Sequence, residues 1–312
     1  MSVRRNASPY LLLTLPPLFW ACNWIIGRAF HDDIPPLAMT FFRWLFAIAI
    51  LLPFAWRHVR RDWPRIRANA KMLFVLGALG VGTHNALAYI GLNYTTAMNG
   101  VILNSFIPVM IVTISWLFLR ERLTPLQIAG VTVSLVGVFT ILSEGSATKL
   151  LAFHLNTGDI FIILSMAMWS IYTIALRWRP QGLHVMSFLF VVAIVGDLCV
   201  LPFWGFEMAV LGHYMRWSWE FVAAILAVSL FSSVLAYLLW NRGVAEVGAS
   251  VAGLFVHLMP AFGILLAWVF LGERLAPFHV AGIALILAGI YVTSRFAGRR
   301  ADIDEAAAVG TD

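Results

Sequence analysis

The stretch WLFLRERLTP at residues 116–125 returns as WVFLGERLAP at residues 268–277, 152 positions later. Carried outward, the same offset lays Gly91 on Gly243, Ala97 on Ala249 and Pro108 on Pro260. Downstream it lays Ala129, Gly130, Leu135 and Gly137 on Ala281, Gly282, Leu287 and Gly289. Nearer the start of the chain an offset of 149 lays Trp20 on Trp169 and Arg28 on Arg177. A shared Leu-x-Glu-Arg-Leu-x-Pro run is too long for coincidence, so the chain contains one unit twice.

The unit is built for lipid. Of the 312 residues 61% are hydrophobic and 12% charged, where soluble domains carry roughly a quarter charged. A soluble protein of this size could not hide so much apolar surface. A bilayer-crossing helix needs about 20 mostly apolar residues, and ten of them use roughly 200 residues, which leaves no sizeable aqueous domain. All-round apolarity with scattered Gly and Pro suits membrane helices better than buried strands. Spans are predicted at 9–29, 35–56, 72–92, 97–118 and 125–142, then 158–178, 184–206, 219–241, 248–271 and 277–296. The fold class is an all-α polytopic membrane protein. Residues 1–142 form the first five-helix repeat, 143–157 an external linker, 158–296 the second repeat and 297–312 a disordered cytoplasmic tail.

The net charge of +6 records orientation in the membrane, not nucleic-acid binding. With the N-terminus cytoplasmic, sixteen of the 21 Lys and Arg fall on the inside, including the run Arg57, Arg60, Arg61, Arg65, Arg67 and Lys71. Arg28, Lys149, Arg216 and Arg274 fall outside, and Arg43 lies within a span. Both termini are therefore expected in the cytoplasm, in the cell inner membrane. The 57–71 run is expected to be a cytoplasmic loop attracted to anionic lipid. No signal peptide is evident, because the first apolar stretch lacks a small-residue cleavage site. Cys22 and Cys199 fall inside spans, without disulfide or metal-ligand spacing, and read as core residues.

Five spans per half is an odd number, so the second half enters the membrane from the opposite side. Two inverted halves with a site at their interface near the midplane are the architecture of secondary transporters. The chain also resembles the EamA-type family of the drug/metabolite transporter superfamily. The resemblance rests on Trp20-Ala-Cys-Asn23, on Arg28, on Pro35-Pro36 followed by Arg43, and on Pro108 and Pro260 leading into the Glu-Arg-Leu turns at 121–123 and 273–275. It covers about Pro9 to Arg295. It implies ten helices in two inverted bundles and export of small metabolites without ATP, with amino-acid exporters as the members to compare first.

Ionisable groups at mid-bilayer cost roughly 2.5–3.5 kcal/mol on insertion scales, so each needs a reason. Arg43, about eight residues into its span, either binds a substrate carboxylate or makes a structural ion pair or helix-end contact. Asp197, well inside the seventh span, is a candidate for coupling to protons; otherwise it pairs with a neighbouring helix or water. His84 and His257 are candidates for binding and coupling, or hydrogen-bonded core histidines. No clustered carboxylates, HExxH or CxxC accompany them, so neither metal nor cofactor is expected.

Trp20, Asn23, Trp24 and Gly27 share a face of the first helix at i, i+3, i+4 and i+7. Trp169, Tyr172 and Thr173 do so on the sixth, and Ser233, Tyr237 and Trp240 on the eighth. Asn85 and Asn104 add amides from the third and fourth. Rings plus amides make a wall suited to small zwitterions or amphipathic solutes, against the alternative of core packing. Trp24 and Trp240, toward span ends, read instead as interfacial belt residues. Pro108 and Pro260 are hinge candidates, or simple bends. Gly130, Ser134 and Gly137 on the fifth span, with Gly282, Ala284 and Ala288 on the tenth, allow close helix approach as support or in a homodimer. The two Glu-Arg pairs, Glu121–Arg122 and Glu273–Arg274, cap helix ends or gate.

These residues predict a secondary transporter exporting small organic metabolites, amino acids foremost, by alternating access through a central cavity. No phosphate-binding loop points to ATP hydrolysis. A drug or cation exporter is disfavoured by the absence of an acidic residue in the first helix, and a nucleotide-sugar carrier by Arg43 being the lone cavity cation. An intramembrane enzyme would need paired carboxylates, a metal cluster or an activated nucleophile, and none is present.

Overall fold

A computed structural model describes residues 9–120, 124–146, 148, 156–271 and 275–309. Ten helices cross in succession: α1 (Pro9–Ala29), α2 (Pro36–Ala68), α3 (Ala70–Tyr94), α4 (Ala97–Asn104 and Ile107–Leu119) and α5 (Pro125–Leu142), then α6 (Thr157–Trp178), α7 (Val185–Ala209), α8 (Trp219–Val247), α9 (Ala249–Leu254 and Leu258–Leu271, joined by a 3-10 turn at Phe255–His257) and α10 (Pro277–Val309). There is no strand among the described residues. Among the described residues nine of the helices are long and apolar enough to cross a bilayer; α4 is interrupted. At 1.5 Å per residue, the 21 residues of α1 reach about 31 Å, one hydrocarbon thickness. Phe54, Phe118, Phe203 and Val269 are exposed on the outside, an apolar exterior that lipid covers.

The starts follow local chemistry. Thr124 and Gln127 form a reciprocal capping box at α5, and Asn156 and Asp159 another at α6, satisfying amides that a helix start leaves free. Pro36 and Pro125 occupy first helical positions, where a missing N–H costs nothing. At the end of α8, Gly248 adopts a φ of +84°, a conformation that favours glycine.

Two expectations about the edges are corrected. The basic run 57–71 is not a loop: α2 continues to Ala68 and α3 starts at Ala70. Arg and Ala are strong helix formers, and Val59, Asp62 and Ile66 bury one face of the extension. The tail expected to be disordered from residue 297 is helical to Val309, in keeping with its Ala, Glu and Arg content.

The packing carries the inverted repeat. In successive pairs related by the repeat, α1 lies on α8 and α3 on α6, while α1 lies on α9 and α4 on α6. The α2 helix packs against α7, and α5 against α10. In the last pair a Cβ on Gly130 would come within 2.8 Å of the Gly289 carbonyl, and one on Gly137 within 2.6 Å of the Gly282 carbonyl. Gly130 and Gly137 correspond to Gly282 and Gly289, so the contact is its own image and the pair runs antiparallel. Gly130, Ser134 and Gly137 of α5 and Gly282 of α10 are thus taken up by this contact within one chain, whereas Ala284 and Ala288 are exposed. A second copy of the protein would meet the outer side of the two helices, where Ile128, Val136, Val280 and Leu287 are exposed.

A second reciprocal contact joins α2 and α7. Buried Asp62, near the end of α2, accepts from His184 N (2.9 Å) and Ser187 Oγ (2.8 Å) at the start of α7. Buried Glu207, near the end of α7, accepts from Leu37 N (3.4 Å) and Ala38 N (3.0 Å) at the start of α2. Each carboxylate answers the free amides and positive dipole end of the other helix.

Candidate functional site

Four of the helices that line the centre, α3, α4, α8 and α9, are interrupted, and their interruptions are repeat-related. A π segment interrupts α3 at Ala78–Thr83 and α8 at Ser229–Leu235. The break in α4 after Asn104 has its counterpart in the 3-10 turn Phe255–His257 of α9. In a π turn the backbone bonding slips by one residue, and carbonyls come free for other donors. Gly80 and Ser232, 152 residues apart, supply them. The Gly80 carbonyl accepts from Tyr237 OH (2.6 Å) and Asn85 Nδ2 (3.3 Å). The Ser232 carbonyl accepts from Arg43 Nη2 (3.2 Å) and Trp20 Nε1 (3.2 Å).

Arg43 is the centre of the polar set. It is 2% exposed. Its Nε donates to Ser233 Oγ at 2.6 Å, and its Nη1 to Asn85 Oδ1 at 2.8 Å and Tyr89 OH at 3.2 Å. Tyr89 OH passes the chain on to Asn23 Oδ1 at 2.6 Å. The guanidinium lies 5.5 Å from the Trp44 ring centre, within cation–π range. All of these partners are neutral. Among the described residues no carboxylate is within ion-pairing distance of Arg43. The structural ion pair considered for it is therefore not what holds it. Hydrogen bonds position the cation and leave its charge uncompensated, an arrangement that attracts an anion.

A cavity with about 530 Å³ of atom-free space, open solvent included, lies against this network. Its residues come from the later parts of α1 and α3, the earlier parts of α2 and α4, and Trp169, Tyr237, Val256 and Met259 within α6, α8 and α9; the contributions of α1 to α4 place it toward the face away from the chain termini. Trp20, Asn23, Arg43, His84, Asn85, Asn104, Trp169 and Tyr237, all among the candidates singled out in the sequence, line it.

Three predicted residues stand off the cavity. Ser233 acts behind Arg43. Tyr172 packs on Trp169 (ring centres 5.2 Å apart) and donates to Asn241 Oδ1 at 2.8 Å. His257 lies between α9, α5 and the α4 break: Nδ1 meets Ser134 Oγ at 2.7 Å and Nε2 the Ser105 carbonyl at 2.9 Å. Both ring nitrogens are engaged, and Ser105 is the residue to which His257 corresponds in the repeat. Pro108 has no N–H to give the carbonyl of Asn104 four residues back, where α4 breaks. His84 has Nδ1 2.8 Å from Ser165 Oγ and its ring 4.9 Å from Trp169. Asp197 is buried on α7, its Oδ1 has no hydrogen-bond donor among the described residues, and it does not line the cavity. The Glu121–Arg122 and Glu273–Arg274 turns lie outside the described residues.

The aromatic wall is deeper than the sequence reading allows. Trp20 meets Trp169 and Trp240 edge-on, each with ring centres 5.1 Å apart, and Tyr237 packs on Trp44 at 4.9 Å. Trp24 and Trp240 are not belt residues: both are buried, and Trp24 lines the cavity beside Gly100. Their place near span ends is misleading because the sides of α1 and α8 that carry them turn inward, while Ile25 and Phe231 on the same helices are exposed. Tyr89 was also missed, although it stands one helical turn after Asn85 on the same face.

Ten helices in two inverted halves, closing on a cavity with a buried cation and an aromatic wall, define a membrane carrier. The profile described as the EamA-like transporter family matches residues 7–143 and 156–295, and the chain belongs to that family. It is a transporter of small molecules and not an enzyme. An uncharacterized transporter of Archaeoglobus fulgidus is 28% identical over 295 residues, 93% of this chain and 98% of that protein. A probable terminal-alkyne amino-acid exporter of Streptantibioticus cattleyicolor is 28% identical over 247 residues, 78% of each chain. A crystal structure with 20% sequence identity superposes with a TM-score of 0.71 over 93% of this chain and 98% of that one, which bears on the fold alone.

Proposed function

We propose that this transporter exports small carboxylate-bearing metabolites, amino acids foremost, by alternating access across the cell inner membrane, with both termini in the cytoplasm. The observation that carries the reading is Arg43: a buried guanidinium held by neutral partners beside a cavity lined by rings and amides. A solute carboxylate supplies the charge that this site lacks, by charge-assisted hydrogen bonds. Trp20, Trp24 and Trp169 give the solute's apolar part a wall, and their faces suit an ammonium group. Asn23, Asn85 and Asn104 orient its polar atoms. The similarity to a probable amino-acid exporter supports the same class. Pro108 and Pro260 are the hinges at the paired breaks. Asp197 and His84 are the coupling candidates; His257, with both nitrogens engaged, is the weaker one.

The test is flux through purified protein in liposomes, with labelled amino acids, a cationic dye and a nucleotide sugar, each with and without a pH gradient. Saturable amino-acid flux supports the reading, and gradient-driven accumulation directs attention to Asp197. Movement of the dye alone overturns it.

A further inference from the structure

A second cavity, with about 460 Å³ of atom-free space, lies at the face that carries the chain termini. The loop after α6, residues 179–183, meets the end of α8 there. Arg179 Nη1 donates to the Asn241 carbonyl at 3.1 Å, and Arg65 Nη1 pins the loop through the Gly182 carbonyl at 3.1 Å. Leu183, Phe188 and Leu238 form an apolar side. Asn241 lines this cavity and is 5% exposed, yet its Nδ2 has no acceptor among the described residues. A buried amide donor without a partner is rare in folded proteins and asks for an explanation. A ligand oxygen beside Arg179 provides one.

The cavity stands in line with the central one. Asn241 Oδ1 accepts from Tyr172 OH, Tyr172 packs on Trp169, and Trp169 lines the Arg43 cavity. One layer of aromatic rings, Tyr172 with Trp169, Tyr237 and Trp240, therefore separates the two.

We propose that this cavity is a loading vestibule, where Asn241 Nδ2 and the Arg179 guanidinium hold the carboxylate of the solute and the apolar side receives its side chain, before the aromatic layer opens toward Arg43. It rests on the carboxylate reading given above. Because Asn241 bonds Tyr172 with its other amide atom, a carboxylate drawn to Nδ2 acts directly on the outermost ring of the layer.

The experiment follows labelled phenylalanine in inside-out and right-side-out membrane vesicles, for the wild type, Arg179→Gln and Arg179→Lys. Arg179→Gln is expected to raise KM by about tenfold from the terminus-bearing face and to leave KM from the other face unchanged, with Arg179→Lys recovering part of the loss. Equal effects from both faces, or a wild-type KM in Arg179→Gln, overturn the vestibule while leaving the carboxylate transporter standing. If the wild type moves no phenylalanine, binding to the detergent-solubilised full chain decides. Weakening by Arg179→Gln sustains a carboxylate site at this cavity and overturns the amino-acid export reading, and absence of binding overturns the vestibule as well. Wild-type phenylalanine binding, with loss of copurified phosphatidylglycerol in Arg179→Gln, assigns the site to a lipid headgroup and also overturns it.

Discussion

Replacing Arg43 by glutamine separates a structural role from a binding one, because the two have different energetic signatures. The arginine donates to Ser233, Asn85, Tyr89 and the Ser232 carbonyl. After the exchange Tyr89 keeps Asn23 as its partner, and the Ser232 carbonyl keeps Trp20. Asn85 Oδ1 loses its donor, and a buried acceptor left unmade costs about 1–3 kcal/mol. Against this, the cost of holding a charge in the bilayer, about 2.5–3.5 kcal/mol on insertion scales, disappears. The two oppose each other, so the variant is expected to unfold within a few degrees of the wild type. Transport has no such compensation. Loss of a charge-assisted hydrogen bond to the solute carboxylate, worth about 1.5–3 kcal/mol, raises KM roughly 10- to 150-fold. The assays are thermal unfolding in detergent, followed by tryptophan fluorescence, and initial rates in proteoliposomes per folded molecule. A variant that melts far below the wild type but keeps its KM would refute the argument and make Arg43 a structural cation.

Trp20→Ala and Trp169→Ala each remove one of two touching rings of the cavity wall; each is expected to lower flux at least tenfold with membrane insertion intact, and wild-type flux in both would sink the cavity assignment. Gly137→Leu forces a side chain into the Gly282 carbonyl at the α5–α10 contact and is expected to destabilise by about 1–3 kcal/mol, whereas Gly205→Ala, with nothing within 4 Å of the added methyl, leaves the melting temperature near that of the wild type. Asp62→Ala strips two hydrogen bonds from the start of α7, at about 1–2 kcal/mol, and Asp62→Asn restores part of it; unfolding in detergent reads both.

The offset of 152 was legible because it runs through the chemistry of helix ends and breaks: Pro108 and Pro260, the Glu-Arg-Leu turns, and glycines where helices touch. The same offset joins Asn85 to Tyr237 and Ser105 to His257, pairs in direct hydrogen-bond contact, but a sequence match cannot reveal that its members touch. Trp20, Asn23, Arg43 and Trp169 could be singled out because polar and ring-bearing groups are conspicuous in apolar spans. Trp24 and Trp240 were misjudged for a reason of geometry. Distance from a span's end distinguishes belt from core only for a side chain on the lipid-facing side, and Trp24 and Trp240 are on the inward sides of helices whose other sides, at Ile25 and Phe231, are exposed. The fate of His257 was illegible too, since its partners are a hydroxyl on α5 and a carbonyl exposed by a break in α4.

What the sequence determined by itself is the solvent, the number of crossings and the duplication, all properties of composition and period. Lipid leaves a chain this apolar little choice beyond helices that satisfy their own backbone, and an odd repeat must insert in opposite senses. What only the tertiary structure decided is where backbone bonding fails. The π turns at Ala78–Thr83 and Ser229–Leu235 carry no distinctive residues, yet they free the Gly80 and Ser232 carbonyls on which Tyr237, Asn85, Arg43 and Trp20 converge. Such slips depend on which neighbour stands ready to accept the stray bond, so they belong to the packed bundle and not to any one of its helices.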